Sequence, residues 1–133
     1  MRALVEERRA SWQEIGIDSF RAGRELFSAG RYRSSVSRFY YAAFSVLTHE
    51  LSVAGAEFGE GQETPNHKAL PKLIRLHLIL SERKQTELIA LARRLYSARI
   101  AADYQRRTTD EQTARGILRD TAFVFRAFKV SYD

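Results

Sequence analysis

The side chains best suited to chemistry lie in one short stretch, "RRLYSARIAADYQRR". Arg99 and Asp103 are four residues apart, the spacing at which two side chains on one helix meet. Tyr96 and Tyr104 flank this pair. Because Arg99 falls on the apolar stripe of its predicted helix, one turn after Leu95, its charge needs a partner. We therefore expect a partly buried Arg99 guanidinium within hydrogen-bond reach of Asp103 and close to an aromatic ring.

A second stretch, "RFYYAAFSVLTHEL", supplies the neighbours that such a pair would need. Arg38 and Tyr41 lie on the polar edge of its predicted helix, and Tyr40 lies on the apolar face. If the two helices pack side by side, an arginine, an aspartate and several rings can bind and stack on a nucleotide. The alternative is purely structural: an ion pair that closes one layer of a helical bundle, and tyrosines that fill its core.

The composition indicates one folded domain that spans residues 1–133. Apolar residues make up 44% of the 133 residues, which is enough for a core. The absence of cysteine excludes disulfides and cysteine-bound zinc. The charged N-terminus has no apolar signal segment, and no apolar run is long enough to cross a bilayer. We expect a cytoplasmic protein without a membrane partner.

The net charge is +6, and the positive and negative charges are unevenly distributed along the sequence. Residues 67–107 contain ten lysines and arginines against three acids, whereas residues 52–66 contain three acids and no base. A basic stretch over two adjacent helices attracts polyanions such as RNA, although solvated helix faces produce the same pattern. On this basis Arg38, Tyr41, Arg94, Arg99 and Arg106 are the candidate nucleotide- or RNA-binding residues.

The usual catalytic and cofactor motifs are missing from the sequence. It has no glycine-rich phosphate loop, no His-Glu-x-x-His pair and no nucleophile elbow. His49, His67 and His77 fall near predicted helix ends, where solvated or capping histidines are common. We therefore predict neither a metal site nor a cofactor.

Apolar periodicity predicts an all-α fold without strands. The predicted helices are a first over 3–30, a second over about 33–51, a short third that Asn66 caps, a fourth from Ser81 to about Arg107, and a last one opened by Thr108 or Thr109. Thr109 and Gln112 form a capping-box pattern. Together these elements predict an antiparallel up-and-down bundle of four long helices and one short helix.

The periodicity also predicts which helix faces are buried. On the first helix the predicted buried residues are Trp12, Ile15, Ser19, Ala22 and Leu26. On the second they are Val36, Tyr40, Ala43, Phe44, Leu47 and Leu51, with Phe39 at the edge of this face and Ser45 on the polar side. On the fourth they are Leu88, Leu91, Ala92, Leu95, Arg99 and Ala102, and on the last they are Ala114, Ile117, Leu118, Thr121, Phe125 and Phe128.

Three segments in order resemble the prokaryotic HEPN-domain family, the helical partner of minimal nucleotidyltransferases. They are "AGRELFSAGRYRSSVSRFYYAAFSVLTHEL", "NHKAL" and "LYSARIAADY", and the resemblance covers about residues 20–107. The resemblance implies a four- or five-helix bundle that usually dimerises. It also implies a place in a two-gene toxin–antitoxin system. In many members an arginine, four to six residues and then a histidine meet across the dimer and cut RNA without metal.

The chain departs from that ribonuclease motif at the histidine. Arg99 aligns with the family's arginine, and the histidine would stand at position 104, 105 or 106. These positions are Tyr104, Gln105 and Arg106. Tyrosine is a poor acid–base substitute near neutral pH, since its ordinary pKa is about 10.

Three functions follow from the resemblance and its departure. The first is a dimeric module that binds a nucleotide, RNA or a protein partner and carries a degenerate ribonuclease motif. The second is an active endoribonuclease toxin with an altered site, in which Arg99, Asp103 and Tyr104 are catalytic. The third is a structural oligomer without a ligand.

Overall fold

The computed structural model describes residues 9–133, which form five α-helices and no strand. The helices are α1 (Trp12–Ser28), α2 (Tyr32–Val53), α3 (Leu70–His77), α4 (Glu82–Tyr104) and α5 (Glu111–Ala127), and a 3₁₀ turn (His67–Ala69) precedes α3. Four long helices and one short helix confirm the predicted all-α bundle. None of the helices between residues 9 and 133 combines the length and apolar character that a bilayer crossing demands.

Helix α2 lies at the centre of the bundle and contacts all four other helices. Its predicted apolar face is buried except for Phe44, which is half-buried, and burial extends further around the helix. Phe39, expected at the edge, is 0% exposed, and Ser45, expected on the polar side, is 4% exposed. Because α1, α4 and α5 pack around α2, only a narrow strip that includes Arg38 and Tyr41 reaches solvent.

Helix α1 begins later than the predicted start at residue 3. Ser11 is its N-cap, and the Ser11 side chain accepts a hydrogen bond of 3.0 Å from the backbone N–H of Glu14. This cap was present in the sequence as a serine three residues before a glutamate. Residues 9–11 are not helical, and the predicted helical residues 3–8 lie outside the described part of the chain.

The buried face of α1 is rotated away from the predicted stripe. Gly16, Ser19, Phe20 and Gly23 are buried, whereas Trp12, Ile15, Ala22 and Leu26 are only half-buried. A side chain at Gly23 would place its Cβ 2.6 Å from Phe39 Cε1, and one at Gly16 would lie 3.0 Å from Ala42 O. The two glycines therefore let α1 approach α2 closely, a role that a search for large apolar residues does not detect.

The helix ends near the candidate site differ from the predictions in two places. Helix α4 ends at Tyr104, three residues before the expected Arg107. The N-cap of α5 is Asp110 instead of Thr109, and its carboxylate accepts from the Thr113 N–H at 2.8 Å. A carboxylate ranks above threonine as an N-cap and also interacts favourably with the helix dipole.

The remaining predicted caps are confirmed. The Ser81 hydroxyl accepts from the backbone N–H of Lys84 at 3.2 Å and starts α4. The Asn66 side chain accepts from the Lys68 N–H at 2.8 Å, and it caps the 3₁₀ turn that leads into α3. Pro71 lies in the first turn of α3, where a missing N–H costs no helical hydrogen bond.

Candidate functional site

The packing of α2 against α4 brings together five residues that we call the Arg99 cluster: Tyr40, Tyr41, Arg99, Asp103 and Tyr104. Arg99 is its centre. The Arg99 Nη2 donates to the Tyr41 hydroxyl at 2.8 Å and to the Tyr104 hydroxyl at 3.4 Å. The Arg99 Nε lies 3.0 Å from Asp103 Oδ2. The predicted approach of Arg99 to Asp103 is therefore confirmed.

Aromatic rings surround the Arg99 guanidinium. Its Cζ lies 5.7 Å from the ring centroid of Tyr40, 5.4 Å from that of Tyr41 and 5.3 Å from that of Tyr104. A cation over three ring faces is stabilised by the negative electrostatic potential of those faces. The sequence predicted at least one aromatic ring close to Arg99, and the structure places three rings there.

The Arg99–Asp103 contact is an ion pair rather than an aligned hydrogen bond. The Nε atom of Arg99 is buried, and its N–H has no hydrogen-bond partner within the described residues although Asp103 Oδ2 is close. The Arg99 side chain is 18% exposed and that of Asp103 is 26% exposed. The same carboxylate oxygen, Asp103 Oδ2, also accepts a hydrogen bond of 3.3 Å from the Ser37 hydroxyl.

The cluster perturbs the acidity of two of its members. Burial raises the pKa of Tyr40 to about 12, against a smaller opposing effect of Arg99. Desolvation disfavours the charge of Arg99, yet Tyr41, Tyr104 and Asp103 together hold its pKa above the ordinary value. Tyr40 therefore stays protonated and Arg99 stays charged throughout the physiological range, so neither acts as a base.

One side of the cluster is open to solvent. Tyr104 is 70% exposed and Tyr41 is 36% exposed, although both are large aromatic residues. An exposed ring next to a fixed guanidinium can stack on a nucleobase while the guanidinium binds a phosphate. The arrangement therefore suits an anionic aromatic ligand better than an uncharged one.

Not all of the predicted binding residues join this cluster. The Arg38 Cζ lies 5.8 Å from the Tyr41 ring centroid, which places Arg38 at the margin of the Arg99 cluster. Arg94 faces α5, where its Nε and Nη2 contact the two oxygens of Asp120 at 3.2 and 3.3 Å. Arg106 is exposed in the segment after α4. Arg94 points away because five residues along a helix turn a side chain by more than a third of a revolution.

Sequence reasoning missed Arg33, which anchors the end of α4. Its guanidinium donates to the backbone carbonyls of Ala102, Gln105 (2.8 Å) and Arg107. These carbonyls lie at and beyond the C-terminus of α4, where they have no helical partner. The anchor holds the turn that carries Asp103 and Tyr104. No local sequence pattern predicts the contacts of Arg33, because the partners are about seventy residues apart in sequence.

No metal site accompanies the cluster in the described range. Between residues 9 and 133 no three histidine, aspartate or glutamate side chains are placed to hold a metal ion together.

Comparison with known proteins gives the family. No curated protein matches the chain. A family model described as the HEPN domain matches residues 10–130, which include all five helices and the whole Arg99 cluster. Since the match extends over nearly the entire sequence, and the fold is the expected helical bundle, the chain belongs to the HEPN domain family.

Proposed function

We propose that this HEPN protein is a dimeric module that binds RNA or nucleotide phosphates through the Arg99 cluster. The observation that carries the proposal is the Arg99 guanidinium held between Tyr41 and Tyr104, two tyrosines that remain exposed. A guanidinium fixed in this way is preorganised for a phosphate, and the exposed rings offer stacking surface. Basic residues of α4 and the following segment add a favourable field.

The dimer is part of the proposal because the cluster faces outward. Tyr41 of α2 and Tyr104 of α4 form an exposed aromatic rim around Arg99 that one protomer leaves open. A second copy related by a two-fold axis would bring two such clusters together and enclose a cleft. Two guanidinium groups in one cleft would double the positive charge available to a polyanion.

RNA binding by variants tests the proposal directly. We expect a fluorescent single-stranded RNA to bind the protein, and Arg99→Ala to weaken binding about tenfold, as for loss of a charge-assisted contact. Arg83→Ala is the matched control: Arg83 lies on the same helix, and its side chain is 90% exposed and away from the cluster. Equal loss in both variants would mean that only net charge matters and would overturn the assignment to Arg99.

A second candidate function is a metal-independent endoribonuclease. It is favoured by the contact of the Tyr104 hydroxyl with Arg99 and by the adjacent Asp103 carboxylate. In this reading Arg99 binds the scissile phosphate, and Asp103 or Tyr104 assists proton transfer. Purified protein is incubated with total RNA in EDTA beside Arg99→Ala; no cleavage, or equal cleavage by the variant, removes this candidate.

We also propose a protein partner, a minimal nucleotidyltransferase encoded next to this chain. The proposal is supported by membership in the HEPN family and by the resemblance of the α2 and α4 segments to the partners of such enzymes. Co-expression of the neighbouring gene should yield a complex that survives size exclusion. If no nucleotidyltransferase gene lies next to the gene for this chain, the RNA-binding module and the structural oligomer remain as the candidate functions.

A further inference from the structure

A pocket that is separate from the Arg99 cluster lies between the 3₁₀ turn, α3 and the middle of α4. It has a volume of about 220 Å³ and includes no residue of the Arg99 cluster. Its walls are apolar and consist of Leu70, Pro71, Ile89 and Ala92. The polar lining residues are His67, Lys68 and Arg93, and none of the lining residues is acidic. An apolar cavity whose rim carries two cationic side chains and no acidic one suits an organic anion.

The two cationic side chains at the rim are those of Lys68 and Arg93. Lys68 and Arg93 are exposed and have no ion-pair partner among residues 9–133. By contrast, the next two arginines along α4, Arg94 and Arg99, are both paired with aspartates. Two unpaired cations at one opening attract a dianion such as a phosphate monoester.

His67 gives the pocket a neutral polar edge. Its ring stacks on Tyr96 with centroids 3.6 Å apart and planes inclined by 15°, which fixes the imidazole in place. The His67 Nδ1 is buried and has no hydrogen-bond partner in the described part of the chain. Burial, and then the nearby Arg93, lower the pKa of His67, so the imidazole is neutral near pH 7 and can donate or accept.

We propose that this pocket binds a nucleoside monophosphate, with the base against the apolar walls and the phosphate between Lys68 and Arg93. A volume of about 220 Å³ is below the usual range for drug-sized ligands, so the pocket accommodates one planar base and leaves the sugar and phosphate at the rim. The pocket is separate from the Arg99 cluster and does not depend on the function proposed for it.

Calorimetry with adenosine monophosphate, adenosine and inorganic phosphate tests the pocket on the full chain. We expect the monophosphate to bind more tightly than either fragment, because base and phosphate sites are used together. Arg93→Ala and Lys68→Ala should each weaken binding about tenfold, as for loss of a charged hydrogen bond. Both side chains are exposed, so the variants should fold. Arg83→Ala, on the same helix as Arg93, should bind like the unchanged protein.

The outcomes separate this pocket from the Arg99 cluster. Binding that survives Arg93→Ala and Lys68→Ala but is lost in Arg99→Ala would locate the nucleotide in the cluster and overturn the pocket. No binding of adenosine monophosphate at millimolar concentration would also overturn it. A 5′-phosphorylated oligoribonucleotide that binds more tightly than its 5′-hydroxyl form, with the same dependence on Arg93, would support the pocket and identify an RNA end as its ligand.

Discussion

At the scale of single residues, the Arg99–Asp103 pair lies between a buried ion pair and a surface one. Its side chains are 18% and 26% exposed, and three tyrosine rings cover much of the guanidinium. A fully buried pair would leave a stranded charge when one partner is removed, at a cost of several kcal/mol. Here solvent reaches the carboxylate, and the hydroxyls of Tyr41 and Tyr104 continue to accept from Arg99.

We therefore predict a moderate coupling energy for this pair. Denaturant unfolding of Arg99→Ala, Asp103→Ala and the double variant should give a coupling of about 1 kcal/mol. The Arg83–Glu87 pair is the control, since it has the same four-residue spacing on α4 but exposures of 90% and 42%. Its coupling should be below about 0.5 kcal/mol. A value of about 3 kcal/mol for Arg99–Asp103 would assign the pair to structure alone.

The lowered pKa of His67 predicts that the stability of the protein depends on pH. Burial and Arg93 lower its pKa in the folded state from 6.5, so the unfolded chain takes up a proton first as the pH falls. The folded state should therefore lose stability as the pH falls below about 6.5 and keep it above that value. The substitution His67→Phe keeps an aromatic ring on Tyr96 but removes the group that titrates.

Unfolding at about pH 7.5 and about pH 5.5 measures this effect, since the two values bracket the ordinary pKa of histidine. The difference in free energy of unfolding between the two pH values should be smaller in His67→Phe than in the unchanged protein. His49→Phe serves as a control for the general effect of removing a histidine. An equal or larger difference in His67→Phe would contradict the prediction.

At the scale of elements, two close contacts determine where the cluster sits. Gly16 and Gly23 bring α1 against α2, and Arg33 at the start of α2 binds the carbonyls at the end of α4. The first contact sets the position of the central helix, and the second sets the end of the helix that carries Asp103 and Tyr104. Both depend on partners that are distant in sequence.

Gly23→Ala should destabilise the protein although alanine is the better helix former. The added Cβ would lie 2.6 Å from Phe39 Cε1, and the Phe39 side chain is fully buried and cannot swing away. Overpacking of this kind costs about 1–3 kcal/mol. Gly116→Ala on α5 is the matched control, because no atom lies within 4 Å of its added Cβ. It should raise the melting temperature, since it stabilises the helix by roughly 0.5–1 kcal/mol.

Loss of Arg33 should loosen the segment after α4. Arg33→Met leaves the carbonyls of Ala102, Gln105 and Arg107 without their donor, so local opening becomes easier. Limited trypsin digestion should then cut faster after Arg106 or Arg107. Arg31→Met, two residues away and exposed, removes the same charge and should not change the cutting rate. Identical rates in the two variants would show that Arg33 does not hold this segment.

At the scale of the whole molecule, the exposed aromatic rim predicts self-association. Light scattering at micromolar concentration should give twice the chain mass of 15.3 kDa. Tyr104→Asp should shift the protein to the monomer, because it places a charge in the proposed interface. Ile79, which is fully exposed between α3 and α4, offers an alternative apolar contact. Dissociation by Ile79→Asp instead of Tyr104→Asp would relocate the interface.

The sequence by itself determined the fold class, most helix boundaries and the pairing of Arg99 with Asp103. Helical periodicity, the caps at Ser81 and Asn66, and the four-residue spacing of Arg99 and Asp103 are local properties, so they can be recognised without knowing any long-range contact. The resemblance to HEPN domains rests likewise on ordered local segments. These features needed only neighbours within about one or two helical turns.

The tertiary structure alone decided which face of α1 is buried, where Arg94 points and what holds the end of α4. The buried face of α1 depends on Gly16 and Gly23 meeting Phe39 and Ala42 across the interface. The Arg33 anchor and the stack of His67 on Tyr96 join residues from different elements. Such contacts are set by how helices pack, and the free energy that selects one packing is shared among many side chains.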